Sequence, residues 1–252
     1  MLWKASDLLG FSIRAKDGVI GEIADLFFSD DSWTVRYLVV ATGEWLKRRE
    51  VLISPMVLED PPNGPAKVLP VNVNRSEVQD APPVDSEKPV SRHYEVHYSD
   101  FYRLPYYWAG GPGWGPFLTP GELARSAGAA SHDIEPPEHP HLRSAEEVRG
   151  YHFEGVDGKL GHVEDFIVSD ESWSIRYLEI DVRNWLPGGK KVLLATRWVS
   201  GVSWEKRLLK AEMSREAVKN APEYDDSVPI SEAYEIALAK HYGLERSVGA
   251  FR

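Results

Sequence analysis

Six side chains able to ligate a metal crowd into ten residues: His132, Asp133, Glu135, Glu138, His139 and His141. Imidazole nitrogen and carboxylate oxygen together suit zinc or another divalent ion. Pro136, Pro137 and Pro140 interrupt the group, and fixed proline φ angles hold such a stretch extended rather than wrapped around one centre. No metal site is therefore expected there. Two carboxylate pairs, Asp30-Asp31 and Asp170-Glu171, precede Trp33 and Trp173. General acid–base work needs carboxyl groups with separated pKa values across a cleft. Neighbours in a turn more commonly bond the backbone or face water. Arg36 and Arg176 stand inside strand-like runs, where each is expected to pair with Asp25 or Asp165 on the adjacent strand. Lys47-Arg48-Arg49 and Lys190-Lys191 read as solvated hairpin tips, which leaves a peripheral contact with a phosphate-bearing membrane surface open. Neither a Gly-x-Ser-x-Gly elbow nor a glycine-rich phosphate loop is present. No catalytic residue, no cofactor and no enzymatic activity are expected.

The segment Tyr106-Tyr107-Trp108-Ala109-Gly110-Gly111-Pro112-Gly113-Trp114-Gly115-Pro116-Phe117 has no counterpart later in the chain. Aromatic side chains dominate interface hot spots. Tyr106, Tyr107, Trp108, Trp114 and Phe117 are thus the candidate interaction surface, with cover for an internal apolar face as the competing role.

These residues hang on a repeat. A shift of 140 positions lays Asp17-Gly18 on Asp157-Gly158, Gly21 on Gly161, Asp25 on Asp165, and Arg36-Tyr37-Leu38 on Arg176-Tyr177-Leu178. After one extra residue in the second copy, the register returns at Ala81-Pro82 with Ala221-Pro222 and Tyr94-Glu95 with Tyr234-Glu235. Asp-Gly between apolar runs predicts a type I′ hairpin turn. The stretches 19–27, 33–41, 51–53 and 68–73 predict short strands. Ile230, Tyr234, Leu238 and Tyr242 at i, i+4 spacing, followed by Gly243, predict a terminal helix; Val90, Tyr94, Tyr98 and Phe101 or Tyr102 are the equivalent stripe. The organisation is residues 1–103, a Gly/Pro/aromatic-rich linker over 104–142, and residues 143–252.

Acidic residues outnumber basic ones in all three parts, 16 to 12, 4 to 1 and 19 to 16. Phosphate neutralisation needs Lys and Arg, so no nucleic acid partner is expected. With no cysteine, disulfides and thiolate chemistry are excluded, in keeping with a cytoplasmic protein. No apolar run reaches the roughly 18–20 residues of a transmembrane helix, and the amino terminus shows no signal-peptide pattern.

The blocks Asp157 to Phe166, Trp173 to Leu178 and Trp185 to Leu194, with their partners in the first copy, resemble the PRC-barrel family. That family is named for the cytoplasmic barrel of the H subunit of the purple-bacterial photosynthetic reaction centre, and it includes many free-standing bacterial proteins. The resemblance implies a mainly β chain: two tandem small antiparallel barrels, each followed by a short helical tail. For function it implies a module acting through surfaces, in protein binding, scaffolding or assembly, with an unknown protein or a second copy of itself as partner. The alternative it carries is a reaction-centre-H-like protein that docks on a membrane photosynthetic complex and assists quinone shielding or proton and electron transfer.

Overall fold

The computed structural model describes residues 1–59, 61–62, 65–84, 90–126, 142–182 and 189–243. The chain divides into two units. One holds Met1, Trp3–Glu146 and Ser169–Ser174; the other holds Leu2, Glu147–Val168 and the chain from Ile175 onward.

The first unit contains β1 (Leu2–Lys4, apart from Leu2), α1 (Ala5–Leu8), β2 (Ser12–Ala15), β3 (Gly18–Ser29), β4 (Thr34–Thr42), β5 (Glu50–Ile53), β6 (Val68–Pro70), α2 (Arg75–Asp80), α3 (Arg92–Tyr102), α4 (Pro120–Arg125) and β7 (Leu142–Ser144). Its sheet runs β5-β4-β3-β2-β6. The twelve-residue β3 pairs with β2 along its first part and with β7 along its last three residues, while β4 follows it from Gly21 to Ser29. The boundaries thus differ from the expected division at 103 and 142. Residues 104–126 and β7 belong to the first unit, the latter because it completes the far end of β3.

The second unit repeats the plan with α5 (Ala145–Val148, from Glu147), β8 (His152–Gly155), β9 (Gly158–Ser169, apart from Ser169), β10 (Ile175–Asp181), β11 (Lys191–Ala195), β12 (Val199–Ser203), β13 (Leu208–Ala211), α6 (Arg215–Lys219) and α7 (Glu232–His241). Its strand path is β11-β10-β9-β8-β13-β12.

The mainly β expectation holds, but the sheets are mixed rather than antiparallel throughout. β2 runs parallel to β6, and β8 parallel to β13. The reason is topological: a crossover through the intervening strands returns the last strand beside the first in the same direction. Each recorded strand path is open, without a closed ring of pairings among the described residues. In the second unit its two end strands, β11 and β12, are consecutive in the chain and joined by the 3-10 turn Thr196–Trp198.

The Asp-Gly turns form where expected, with another geometry. Positive φ falls on Gly18 (149°) and Gly158 (128°), not on the two residues preceding each, so neither turn is type I′. Asp17 Oδ1 instead accepts the backbone N–H of Arg75, and Asp157 Oδ1 that of Arg215, each at 2.8 Å. Each carboxylate satisfies a donor at the start of α2 or α6. Trp33, expected as a strand residue, is a left-handed turn residue (φ 50°) that precedes its strand, and Trp173 (φ 54°) does the same in the second copy.

β4 is buried along nearly its whole length, as a strand covered on both faces must be. Its Tyr37 meets Tyr98 of α3 edge-on, ring centroids 5.0 Å apart. In the second unit Ile230, Tyr234 and Tyr242 pack against a cluster containing Ile167, Tyr177 and Leu238. The predicted stripe packs together, but the helix itself spans only Tyr234 and Leu238 of it, with Ile230 before its N-cap Ser231 and Tyr242 at its C-cap; Gly243 follows in the left-handed region (φ 73°). In the first unit Tyr102 faces inward while Phe101 is exposed.

Candidate functional site

The first unit brings together charged and aromatic side chains from three elements. β4 supplies Arg36 and Tyr37. Helix α3 supplies Arg92 and Glu95; it starts where Ser91 Oγ accepts the Tyr94 N–H at 3.2 Å. It stops at Arg103, left-handed at φ 55°. The chain then turns through residues 104–106 into a 3-10 turn, Tyr107–Gly110, and carries Tyr107 and Trp114 back over the end of β4.

Glu95 has no exposed surface. Its Oε1 accepts the hydroxyls of Tyr107 at 2.5 Å and Tyr37 at 3.3 Å, and its Oε2 lies 3.0 Å from Arg92 NH1. Arg92 NH1 also donates to the Tyr107 hydroxyl oxygen at 3.0 Å. Burial pushes the Glu95 carboxyl up to about 7, against the opposing pull of Arg92, the Tyr107 hydroxyl, Arg36 and Tyr37. Burial likewise raises the Tyr37 and Tyr107 hydroxyls and lowers Arg36.

Arg36 does not pair with Asp25. Its guanidinium carbon lies 3.8 Å from the Tyr107 ring centroid and 4.7 Å from that of Trp114, an arrangement held by cation–π attraction. Its Nε and NH2 donate to Ser29 Oγ and Ser32 Oγ, both at 3.1 Å. Asp25 accepts instead from Ser144 Oγ at 2.5 Å and from the Glu146 and Leu26 amides. Nor does Arg176 pair with Asp165. It reaches Glu235 at 3.5 Å, while Asp165 accepts from Arg149.

A carboxyl titrating near neutrality beside two tyrosines has the chemistry of a general acid or base. Here it is enclosed: Tyr37, Tyr107 and Trp114 are all buried around it. The second unit keeps the basic arrangement. Tyr177 donates to Glu235 Oε1 at 2.8 Å, but the Glu235 side chain is 28% exposed. The aromatic segment that follows α3 accounts for the difference. Sequence reasoning aligned Tyr94-Glu95 with Tyr234-Glu235 and gave Glu95 no role; its recurrence was the available signal.

Of the candidate interaction residues, Tyr106, Tyr107 and Trp114 are buried within the first unit, whereas Trp108 and Phe117 retain partial exposure. Trp114 Nε1 donates to the Ser172 carbonyl at 2.6 Å, and Tyr106 donates to Asp100 at 2.8 Å. The turn carboxylate Asp30 accepts from Arg143 Nε at 2.9 Å. The basic tips are only partly solvated. Arg49 donates to the carbonyls of Val78 and Gln79 at the end of α2, and Lys190 to those of Lys219 and Ala221 at the end of α6. These cations satisfy helix C-terminal acceptors. The group from His132 to His141 lies outside the described residues.

The same unit carries an open, largely apolar groove of about 780 Å³. Trp3, Pro61, Pro65 and Val68 line it, with Arg14, Asp170 and the Met1 ammonium, 2.5 Å from Asp170 Oδ1, as its charged groups. Trp3 is fixed edge-on against Phe11 at 5.8 Å, and its Nε1 donates to Asp170 Oδ2 at 3.0 Å. A smaller hollow of about 330 Å³, lined in part by Leu58, Pro120 and Trp173, shares Pro61 and Asp170 with the groove.

No helix among the described residues is long and apolar enough to cross a membrane. Residues 4–61 match the PRC-barrel domain, so the resemblance read from the sequence is shown for this part of the first copy. No curated protein matches the chain.

Proposed function

We propose that the chain is a non-enzymatic cytoplasmic protein built of two PRC-type barrels, acting as a protein-binding, scaffolding or assembly module. The observation that carries this reading is the groove of the first unit. Trp3, Val68 and prolines form its walls, and its charge comes from Arg14 and from Asp170 paired with the Met1 ammonium. A concave apolar surface with a few placed polar groups suits capture of an apolar segment oriented by those groups. Prolines in the wall lose little conformational entropy when a partner docks. Residues 4–61, the part that matches the PRC-barrel domain, supply Arg14, Trp3's neighbour Phe11 and Pro61.

The test is affinity capture from native lysate with the wild-type chain and with Ala66→Asp, which sets a charge at an exposed position of the groove wall. Partners retained by the wild type and lost by the variant support the reading. An identical set of retained proteins rejects it.

A second reading, the reaction-centre-H-like one, draws support from Glu95 alone, because a carboxyl held near 7 is able to store a proton at neutral pH. It requires Glu95 to exchange protons without unfolding. Infrared titration of its carboxyl band in the folded protein tests that, and a band that changes only on denaturation removes the reading.

A further inference from the structure

The second unit brings three metal-ligating side chains together on two neighbouring strands. His162 and Glu164 project from β9 and Asp181 from β10, and one ligand atom from each lies within 4.8 Å of the other two. His162 Nε2 stands 3.4 Å from Glu164 Oε2 and 3.9 Å from Asp181 Oδ2. Ligands sharing one divalent ion at metal–donor distances of about 2.0–2.2 Å lie roughly 3–3.5 Å from one another, so movements of a few tenths of an ångström to about one ångström would close the set.

The placement follows from strand register. Asp181 on β10 and His152 on β8 are both cross-strand partners of His162, one on each side. Direct cross-strand partners share a face, with Cβ atoms about 4.5–5.5 Å apart, so His162 and Asp181 face the same way. Glu164 sits in the irregularity between the Glu179 and Ile180 pairings, and bulges re-aim side chains in this way. Asp181 is almost wholly buried while His162, Glu164 and His152 reach solvent. One anchored carboxylate with accessible neighbours gives an ion a way in.

The first unit supplies an internal control. It has the same register, Ser12 opposite Glu22 and Glu22 opposite Ala41, and the same irregularity at Ala24. These four positions correspond to His152, His162, Asp181 and Glu164, yet no imidazole stands among them and Glu22 is their single carboxylate. The first unit therefore forms the same strand arrangement without the ligand set.

We propose that His162, Glu164 and Asp181 form a binding site for a first-row divalent cation. Nitrogen and carboxylate donors without thiolate suit Zn²⁺ and its neighbours better than Ca²⁺ or Mg²⁺.

Calorimetric titration of the full chain with Zn²⁺ at neutral pH tests the site, with circular dichroism to confirm that each variant is folded. One equivalent should bind, and His162→Gln should weaken binding by more than about tenfold, since even the outer-shell partners of metal ligands cost that much. Glu164→Gln, at a partly exposed position, gives a second variant should the first disturb the sheet. Zn²⁺ heat equal in wild type and both variants overturns the site. So does binding that disappears only when His132, His139 and His141 are replaced together, and so does the absence of binding to the wild type.

Discussion

The Tyr107 hydroxyl donates to Glu95 Oε1 across 2.5 Å, so a residue of the aromatic segment closes over a carboxyl carried by α3. The contact has two consequences. It satisfies an acceptor that burial would otherwise leave exposed to a low dielectric, and it excludes the water that would stabilise the ionised form. In the second unit Tyr177, the counterpart of Tyr37, bonds Glu235 with no counterpart of Tyr107 over it among the described residues, and the carboxylate stays in contact with solvent.

The raised Glu95 carboxyl makes stability depend on pH with a definite sign. Between its ordinary value of 4.5 and about 7 the folded protein holds a proton that the unfolded chain has released. Stability from this group is therefore complete below about pH 4.5 and is lost as pH rises to about 7. The shift corresponds to an effect on the order of 3 kcal/mol. Glu95→Gln, which mimics the protonated form, should remove this part of the slope. Urea unfolding at pH 5 and pH 8 checks it: the midpoint difference should shrink in the variant, and an unchanged difference rejects the assignment.

Trp114 holds the cover in place. It is buried, lies over the Arg36 guanidinium, meets Tyr107 edge-on at 6.3 Å and bonds the Ser172 carbonyl. Trp114→Ala should cost about 3–5 kcal/mol, the range for a buried tryptophan. Water entering the space should also bring the Glu95 carboxyl back toward its ordinary range. Phe117→Ala, at a partly exposed site, should cost well under half as much. Equal losses in urea unfolding would show that Trp114 is not the anchor.

The duplication, the strands and the helical stripes were legible because each leaves a periodic mark: alternation in β3, i, i+4 spacing in α7, and matched turn residues 140 apart. The parallel pairings of β2 with β6 and β8 with β13 were not, since strand direction follows from the crossover and not from any one strand's residues. Arg36 reads as a polar strand position. Its burial comes from Tyr107 and Trp114, more than seventy residues later in a Gly/Pro-rich segment with no periodicity to place it. Glu95 was hidden for the same reason: on α3 alone it is an ordinary helix carboxylate, and only the returning segment buries it.

Asp17 and Asp157 tie each β-hairpin turn to the first amide of a short helix, at 2.8 Å in both units. Removing a side chain that satisfies such a helix-start donor costs about 1 kcal/mol. Asp17→Ala and Asp157→Ala should each show that loss, and Asp17→Asn should restore most of it, because the amide oxygen can still accept. Guanidinium unfolding of the three variants is the measurement. If the asparagine is as unstable as the alanine, charge and not the hydrogen bond is the cause.

Gly21 fixes how closely β3 and β4 approach. It stands opposite Thr42 in the ladder. A Cβ there would lie 2.1 Å from the Ala41 carbonyl oxygen, 2.8 Å from its carbon and 2.9 Å from Thr42 Cα. All three are backbone atoms, so no side-chain rotation relieves the contact. The two strands would have to part, and with them the ladder that carries Arg36 and Tyr37 to Glu95. Gly10 is the matching control. It is left-handed (φ 77°) with nothing within 4 Å of an added Cβ, so alanine there meets only conformational strain of about 1–2 kcal/mol. Gly21→Ala should exceed the roughly 1–3 kcal/mol typical of overpacking and lower the yield of folded protein, while Gly10→Ala folds with a modest loss. Urea midpoints decide between them. A Gly21→Ala chain as stable as Gly10→Ala would mean that β3 and β4 are not packed backbone to backbone at this point.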